Sequence, residues 1–162
     1  MNAMTLRIIP CSTDTDYAVA RKISKDYVEW LNMDLTFQGI ENEFSEFRSI
    51  YSPPGGAYLL AFSDKQAAGG VGLRKLKDDI CEMKRLYVYD RFKSKGVGKA
   101  LCKQLIQLAK HIGYARMRLD TIGRLEAAIQ LYESLGFRDI EQYRHNPDPT
   151  TRYMELNLIV HN

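Results

Sequence analysis

The chain has little of what would tie it to a disulfide scaffold, a metal centre or a membrane. Its three cysteines, Cys11, Cys81 and Cys102, are odd in number and show no Cys-x-x-Cys spacing, so neither a disulfide framework nor zinc is expected. The three histidines, His111, His145 and His161, are too scattered to form a ligand set. No run approaches the ~18 apolar residues of a membrane span, and Met1-Asn2-Ala3-Met4 lacks the basic-then-apolar layout of a secretory signal. The expectation is a cytoplasmic protein without metal and without membrane contact. With 45% hydrophobic and 27% charged residues among 162, the chain reads as one globular domain over residues 1–162.

Charge is present but unevenly placed. Residues 1–81 carry 9 Lys/Arg against 11 Asp/Glu, and residues 82–162 carry 14 against 9. Lys84, Arg85, Arg91, Lys93, Lys95 and Lys99 are accompanied by a single acid, Asp90. A solvated basic surface explains such a cluster, and so does an anion site. Nucleic acid is not the expected partner, because the chain lacks the broad basic stripe and the pI above about 9 of dedicated binders.

Two glycines decide between these readings. Lys93-Ser94-Lys95-Gly96-Val97-Gly98-Lys99 follows a β-like run and opens an amphipathic helix. Glycine lets main-chain amides face a ligand without a Cβ, and a helix N-terminus adds partial positive charge. The segment is not a P-loop, since Ala100 follows Gly98-Lys99 and Lys93 stands where the first glycine would be. It is not a dinucleotide fingerprint either, since Leu101 takes the third glycine's place.

Further along, Ala128-Ile129-Gln130-Leu131-Tyr132-Glu133-Ser134-Leu135-Gly136-Phe137 reads as a helix closed by glycine and followed by a strand. With the glycine loop and the strand Cys81–Val88 before it, the chain resembles the GNAT superfamily of acyl-coenzyme A-dependent N-acyltransferases over roughly Ala57 to Leu158. That family's loop is Arg/Gln-x-x-Gly-x-Gly/Ala, and its later segment is Ala-x-x-x-Tyr-x-x-x-Gly-Phe. Two positions depart: Lys93 replaces Arg or Gln, and Leu125 stands where many members carry Asn.

Periodicity places strands at Leu6–Pro10, Ala57–Ser63, Ala67–Leu76, Ile80–Val88, Met117–Asp120, Phe137–Tyr143 and Tyr153–Leu158. A first helix follows Ser12-Thr13-Asp14-Thr15-Asp16, with Ala20, Ile23, Tyr27, Trp30 and Leu31 as its apolar stripe. A polar connection from Asn32 to Glu43 leads to a short helix around Phe44 to Ile50. One helix follows the glycine loop and another precedes Gly136. The order β-α-α-β-β-β-α-β-α-β-β makes an α/β domain. The resemblance implies a mixed, mostly antiparallel GNAT-like sheet with helices on both faces.

It also implies that the fourth and fifth strands splay, and that the pantetheine arm of acetyl-coenzyme A lies between them. Main-chain groups at Leu86 and Val88 would pair with that arm, and Ser94, Lys95, Gly96, Val97, Gly98 and Lys99, beginning from Lys93, would grip the pyrophosphate. Tyr132 matches the tyrosine that protonates the departing sulfur, and Glu82 matches a glutamate that serves some members as base. An ion pair between Glu82 and Lys84, on the same strand face, is the rival for that carboxylate. The expected reaction is direct acetyl transfer from acetyl-coenzyme A to a primary amine, with no acyl-cysteine. A small molecule such as an amino acid is the first acceptor class. A protein or peptide amine, or a non-catalytic acyl-coenzyme A-binding module, is the alternative. Asp34, Glu41 and Glu43 with Arg144 and Arg152 are candidates to recognise an ammonium and a carboxylate, and homodimerisation is common in the family.

Overall fold

A computed structural model describes residues 5–35 and 39–159. Met1 to Met4, residues 36–38 of the connection after the first helix, and His161 lie outside them. Among the described residues, seven strands form one sheet in the order β1-β2-β3-β4-β5-β7-β6. They are β1 Leu6–Pro10, β2 Ala57–Ser63, β3 Gln66–Lys77, β4 Ile80–Val88, β5 Arg116–Thr121, β6 Arg138–Asp139 and β7 Arg152–Asn157. All described pairings are antiparallel except β4 with β5.

Helices cover both faces. One face is packed by α4 (Val97–Ile112) and α5 (Glu126–Ser134), whose Leu101, Leu105 and Tyr132 are buried together with strand residues such as Leu59, Val71, Met83, Met117 and Met154. The other is packed by α1 (Asp14–Leu31), α2 (Ile40–Ser45) and α3 (Phe47–Ile50), where Ala20, Ile23, Phe47 and Tyr51 meet Tyr58 and Leu60. Helix α1 begins where the polar cluster sets it. Thr13 Oγ1 accepts from the Asp16 amide at 3.1 Å, and Asp16 Oδ2 accepts from the Thr13 amide at 3.2 Å, a reciprocal cap.

Several expectations need correcting. The helix expected around Phe44 to Ile50 is two short ones broken at Glu46, and helical structure already begins at Ile40. Trp30 is 42% exposed and does not belong to the α1 core stripe. The last hairpin is shorter than its pattern: β6 ends at Asp139, and Ile140 makes one further bond to the Tyr153 carbonyl at 2.8 Å before the chain leaves the sheet. The segment departs because Tyr143 and Arg144 turn inward to a buried carboxylate, Glu82.

Strand β4 carries the irregularity that shapes the site. Gly70 pairs with Tyr87 and Gly72 with Lys84, so Arg85 and Leu86 together face Val71. Arg85 holds φ +62°, a left-handed conformation that a branched or long side chain adopts at a cost. The extra residue reverses the side-chain alternation. Before it Glu82 and Lys84 face the α1 side; after it Leu86 and Val88 join the α4 side and Tyr87 faces α1. A guanidinium–carboxylate pair holds the bulge: Arg85 Nε and one terminal nitrogen donate to Glu43 at 2.9 and 3.0 Å, both side chains being buried.

Candidate active site

The sheet is split at its centre. β4 and β5 pair only from Ile80 with Arg116 to Glu82 with Arg118. Beyond that point β5 keeps β7 as partner, through Leu119, Asp120 and Thr121, while β4 from Met83 to Val88 has no strand partner on that side among the described residues. The Tyr89 amide donates to the Ala68 carbonyl of β3 at 2.9 Å, so strand alternation turns the Val88 amide the other way, into the split. Unpaired strand groups of this kind suit an extended, amide-bearing ligand.

A cleft of about 460 Å³ continues from the split. Leu86, Tyr87 and Val88 line it from β4, Lys93, Ser94, Gly96, Val97, Gly98 and Lys99 from the glycine loop, and Leu131 and Tyr132 from α5. Lys95 does not line it; its ammonium lies over the Phe92 ring at 6.0 Å. Lys93 is paired with Asp90 at 2.8 Å and stands 4.7 Å from the centre of the Trp30 ring, which explains why that indole stays at the cleft's edge.

The loop uses its glycines in two ways. Gly96, at φ +81°, turns the chain into α4 with no neighbour within 4 Å of a would-be Cβ. Gly98 has ordinary helical freedom, yet its Cβ would stand 3.6 Å from Leu131 and 3.7 Å from Val88, between the two walls of the cleft. Its missing side chain therefore keeps the cleft open above the α4 N-terminus. This is a cradle for an anion followed by a thin, extended chain.

Tyr132 is buried at the inner end of the cleft, 5.8 Å from the Phe137 ring. Burial first, then the nearby Cys102, Tyr27 and Asp120, push its phenol well above the ordinary value, so it stays protonated at neutral pH. Cys81 and Cys102 are buried thiols pushed up to about 12 by desolvation, which makes them inert.

Glu82 is fully buried and surrounded by donors. It accepts from Arg74 Nε at 3.0 Å, from the Tyr143 hydroxyl at 2.7 Å and from Arg144, and Lys84 Nζ lies at 3.9 Å. Desolvation pushes its carboxyl up, but Lys84, Arg144, Arg74 and the Tyr143 bond outweigh that and hold it below the usual range. A carboxylate so satisfied accepts a further proton poorly. The ion pair with Lys84 is present, as one part of a larger cluster.

A second, polar pocket adjoins the cleft and shares Tyr27 and Leu125 with it. It lies between the end of α1, the split strands and Asn146 of the last loop. The residues expected to recognise an acceptor do not assemble there. Glu43 is bound to Arg85, Arg144 is bound to Glu82, Arg152 faces outward to Asp139 and Glu133, and Glu41 is exposed. Lys84, Arg85 and Asp120 line the pocket instead. Asp120 carries no motif that would single it out; it is one acid in a short strand, and only the divergence of β4 from β5 exposes it.

The profile of the acetyltransferase (GNAT) family matches residues 24–137. The chain belongs to that family. An uncharacterised N-acetyltransferase of Schizosaccharomyces pombe is 37% identical over 140 residues, 85% of this chain and 86% of that protein. Human N-acetylaspartate synthetase is 30% identical over 131 residues, 80% of this chain but 41% of that longer protein. Among solved structures, a GNAT acetyltransferase of Staphylococcus aureus superposes with a TM-score of 0.76 at 19% identity, covering 96% of this chain and 100% of that one. The PaiA N-acetyltransferase of Thermoplasma acidophilum in complex with coenzyme A follows at 0.71 and 18%, covering 95% and 99%. YncA of Salmonella typhimurium with acetyl-CoA follows at 0.70 and 23%, covering 99% and 96%. As a GNAT enzyme, the protein is an acyl-coenzyme A-dependent acetyltransferase.

Proposed function

We propose that this GNAT enzyme transfers an acetyl group from acetyl-coenzyme A directly to the primary amine of a small molecule, an amino acid or a related amine. The observation that carries the reading is the continuity of three features: the loop at the α4 N-terminus, the unpaired edge of β4 and the buried phenol of Tyr132. Main-chain amides from Ser94 to Lys99 hold the pyrophosphate, helped by Lys93 and Lys99. The open edge of β4 at Leu86 and Val88 pairs with the pantetheine amides.

The Val88 amide, turned into the split, polarises the thioester carbonyl and bears the charge that develops there. Tyr132 delivers a proton to the sulfur as the C–S bond breaks; a thiol of pKa near ~8.5 is a tolerable leaving group, so this assists rather than permits departure. The inert thiols leave direct attack by the amine as the route. The name of the human relative describes an amino-acid acceptor, which favours the small-molecule class.

The test is release of free thiol from acetyl-coenzyme A across a panel of amino acids, polyamines and lysyl peptides. Turnover with a small amine supports the reading. Turnover confined to peptides, or thioester binding without any acceptor-dependent release, overturns it.

A further inference from the structure

Two charged groups in the polar pocket lack the hydrogen bonds that their neighbours have. Glu43 and Arg85 satisfy one another, and Glu82 is surrounded by donors. Lys84, only 4% exposed, has one carboxylate oxygen within 4 Å among the described residues, Glu82 Oε1 at 3.9 Å, which is too long for a hydrogen bond. The Asp120 Oδ2 atom is buried and receives no hydrogen bond. Leaving a buried polar atom without a hydrogen bond is costly, and here one such group of each sign lines the same small pocket. That pair is the complement of a zwitterion.

The pocket's size agrees. Its volume is about 50 Å³, and a single ordered water needs about 10–15 Å³. An ammonium, one carbon and a carboxylate fit within it; a folded polypeptide does not. Its position agrees as well. Asp120 lies on β5 just past Arg118, where β4 has already diverged, and its charge is among those that raise the Tyr132 phenol, so the two groups are near one another.

We propose that this pocket is the acceptor site for a free α-amino acid, with Asp120 receiving the ammonium and one of its protons and Lys84 receiving the carboxylate. The inference rests on the acyl transfer proposed above and names its acceptor class and its base. One ammonium proton passes to the Asp120 carboxylate. The freed lone pair forms the N–C bond, the C–S bond breaks, and the sulfur takes a proton from Tyr132. The nitrogen's remaining excess proton restores the Tyr132 phenol, and Asp120 releases its proton to solvent. The products are an N-acetyl amino acid, a thiol and one proton.

The titratable and charged groups around Asp120 come from several elements. Tyr27 reaches it from α1, Lys84 and Arg85 from β4, and Tyr132 from α5. Tyr143 and Arg144 approach from the last loop and Tyr153 from β7.

The experiment compares amino acids with the amines obtained by removing their α-carboxylate, in wild type, Asp120→Asn and Lys84→Met, with coenzyme A affinity and melting temperature measured on each. Wild type should prefer the amino acid at least 100-fold in kcat/KM, and calorimetry on the coenzyme A complex should detect binding of the amino acid but not of the amine. Lys84→Met should raise KM for the amino acid at least tenfold and erase most of that preference. Asp120→Asn should lose at least 100-fold in kcat/KM at pH 7. Its rate should then climb about tenfold per pH unit, because only amine already deprotonated in water can react. Coenzyme A affinity should stay within threefold in both variants.

A wild-type preference for the decarboxylated amine, or an Asp120→Asn profile parallel to wild type, overturns the proposal while leaving acetyl transfer intact. Thiol release with no amine at all overturns both. If a variant does not fold, the wild-type preference and calorimetry decide alone.

Discussion

Gly98→Val separates binding from folding, because the two effects have opposite grounds. A Cβ at Gly98 meets Leu131 and Val88 at ordinary contact distances, so the apo fold accepts it. Residue 98 lies in the first turn of α4, where glycine is a poorer helix former than valine by a few tenths of a kcal/mol. The apo melting temperature should therefore stay within about 2 °C of wild type. The γ-methyls, however, occupy the gap between the cleft walls through which the donor passes. Losing two charge-assisted hydrogen bonds at about 1.5–3 kcal/mol each weakens binding by 100-fold or more.

The assay is thermal melting with and without acetyl-coenzyme A at 100 times the wild-type dissociation constant. Wild type gains about 2.7 kcal/mol by mass action. At about 2–4 °C per kcal/mol for a domain of this size, that is roughly 5–11 °C. In the variant the same concentration approximates the new dissociation constant, and the shift falls to about 1–2 °C. An unchanged shift refutes the loop assignment. A collapsed apo melting temperature would refute the packing argument instead.

Tyr132→Phe should lower kcat on the order of 10²-fold while acetyl-coenzyme A affinity stays within about twofold; an unchanged kcat removes the phenol from the chemistry. Arg85→Met should destabilise by about 3–5 kcal/mol, because it leaves Glu43 buried without its partner; a melting temperature within 2 °C of wild type would contradict this. Arg85, with Lys84 and Arg74, offsets the desolvation of Glu43 and holds its carboxyl below the ordinary value. Its stabilisation is accordingly complete above the unfolded carboxyl value near ~4.3 and lost as pH falls through the lower folded value. Chemical denaturation between pH 6 and pH 3 should show a steeper loss of stability in wild type than in Glu43→Gln, and parallel losses would refute the linkage.

What could be read in the sequence is what depends on neighbours along the chain. The glycine loop, the meander of β2, β3 and β4 and the capping cluster at Thr13 each carry their cause locally, and the structure places them as their patterns require. The bulge at Arg85 has no local signal, because no glycine marks it. The residue accepts its left-handed conformation for a carboxylate more than forty positions away. By its sequence Glu82 is one carboxylate on a strand; Tyr143 and Arg144, which engage it, come from a loop whose periodicity is that of a hairpin strand. Trp30 fitted the stripe of α1 by spacing, yet the helix end overhangs the cleft and leaves the indole exposed. That Lys84 and Asp120 line one pocket follows from the split between β4 and β5, a tertiary feature without a residue signature.

The most direct test of the donor site is a crystal structure with coenzyme A bound. The account predicts the pyrophosphate on the main-chain amides of Ser94 to Lys99 and the pantetheine arm along β4 at Leu86 and Val88, with its sulfur beside Tyr132. Coenzyme A found elsewhere on the molecule, with the split between β4 and β5 closed, would contradict it.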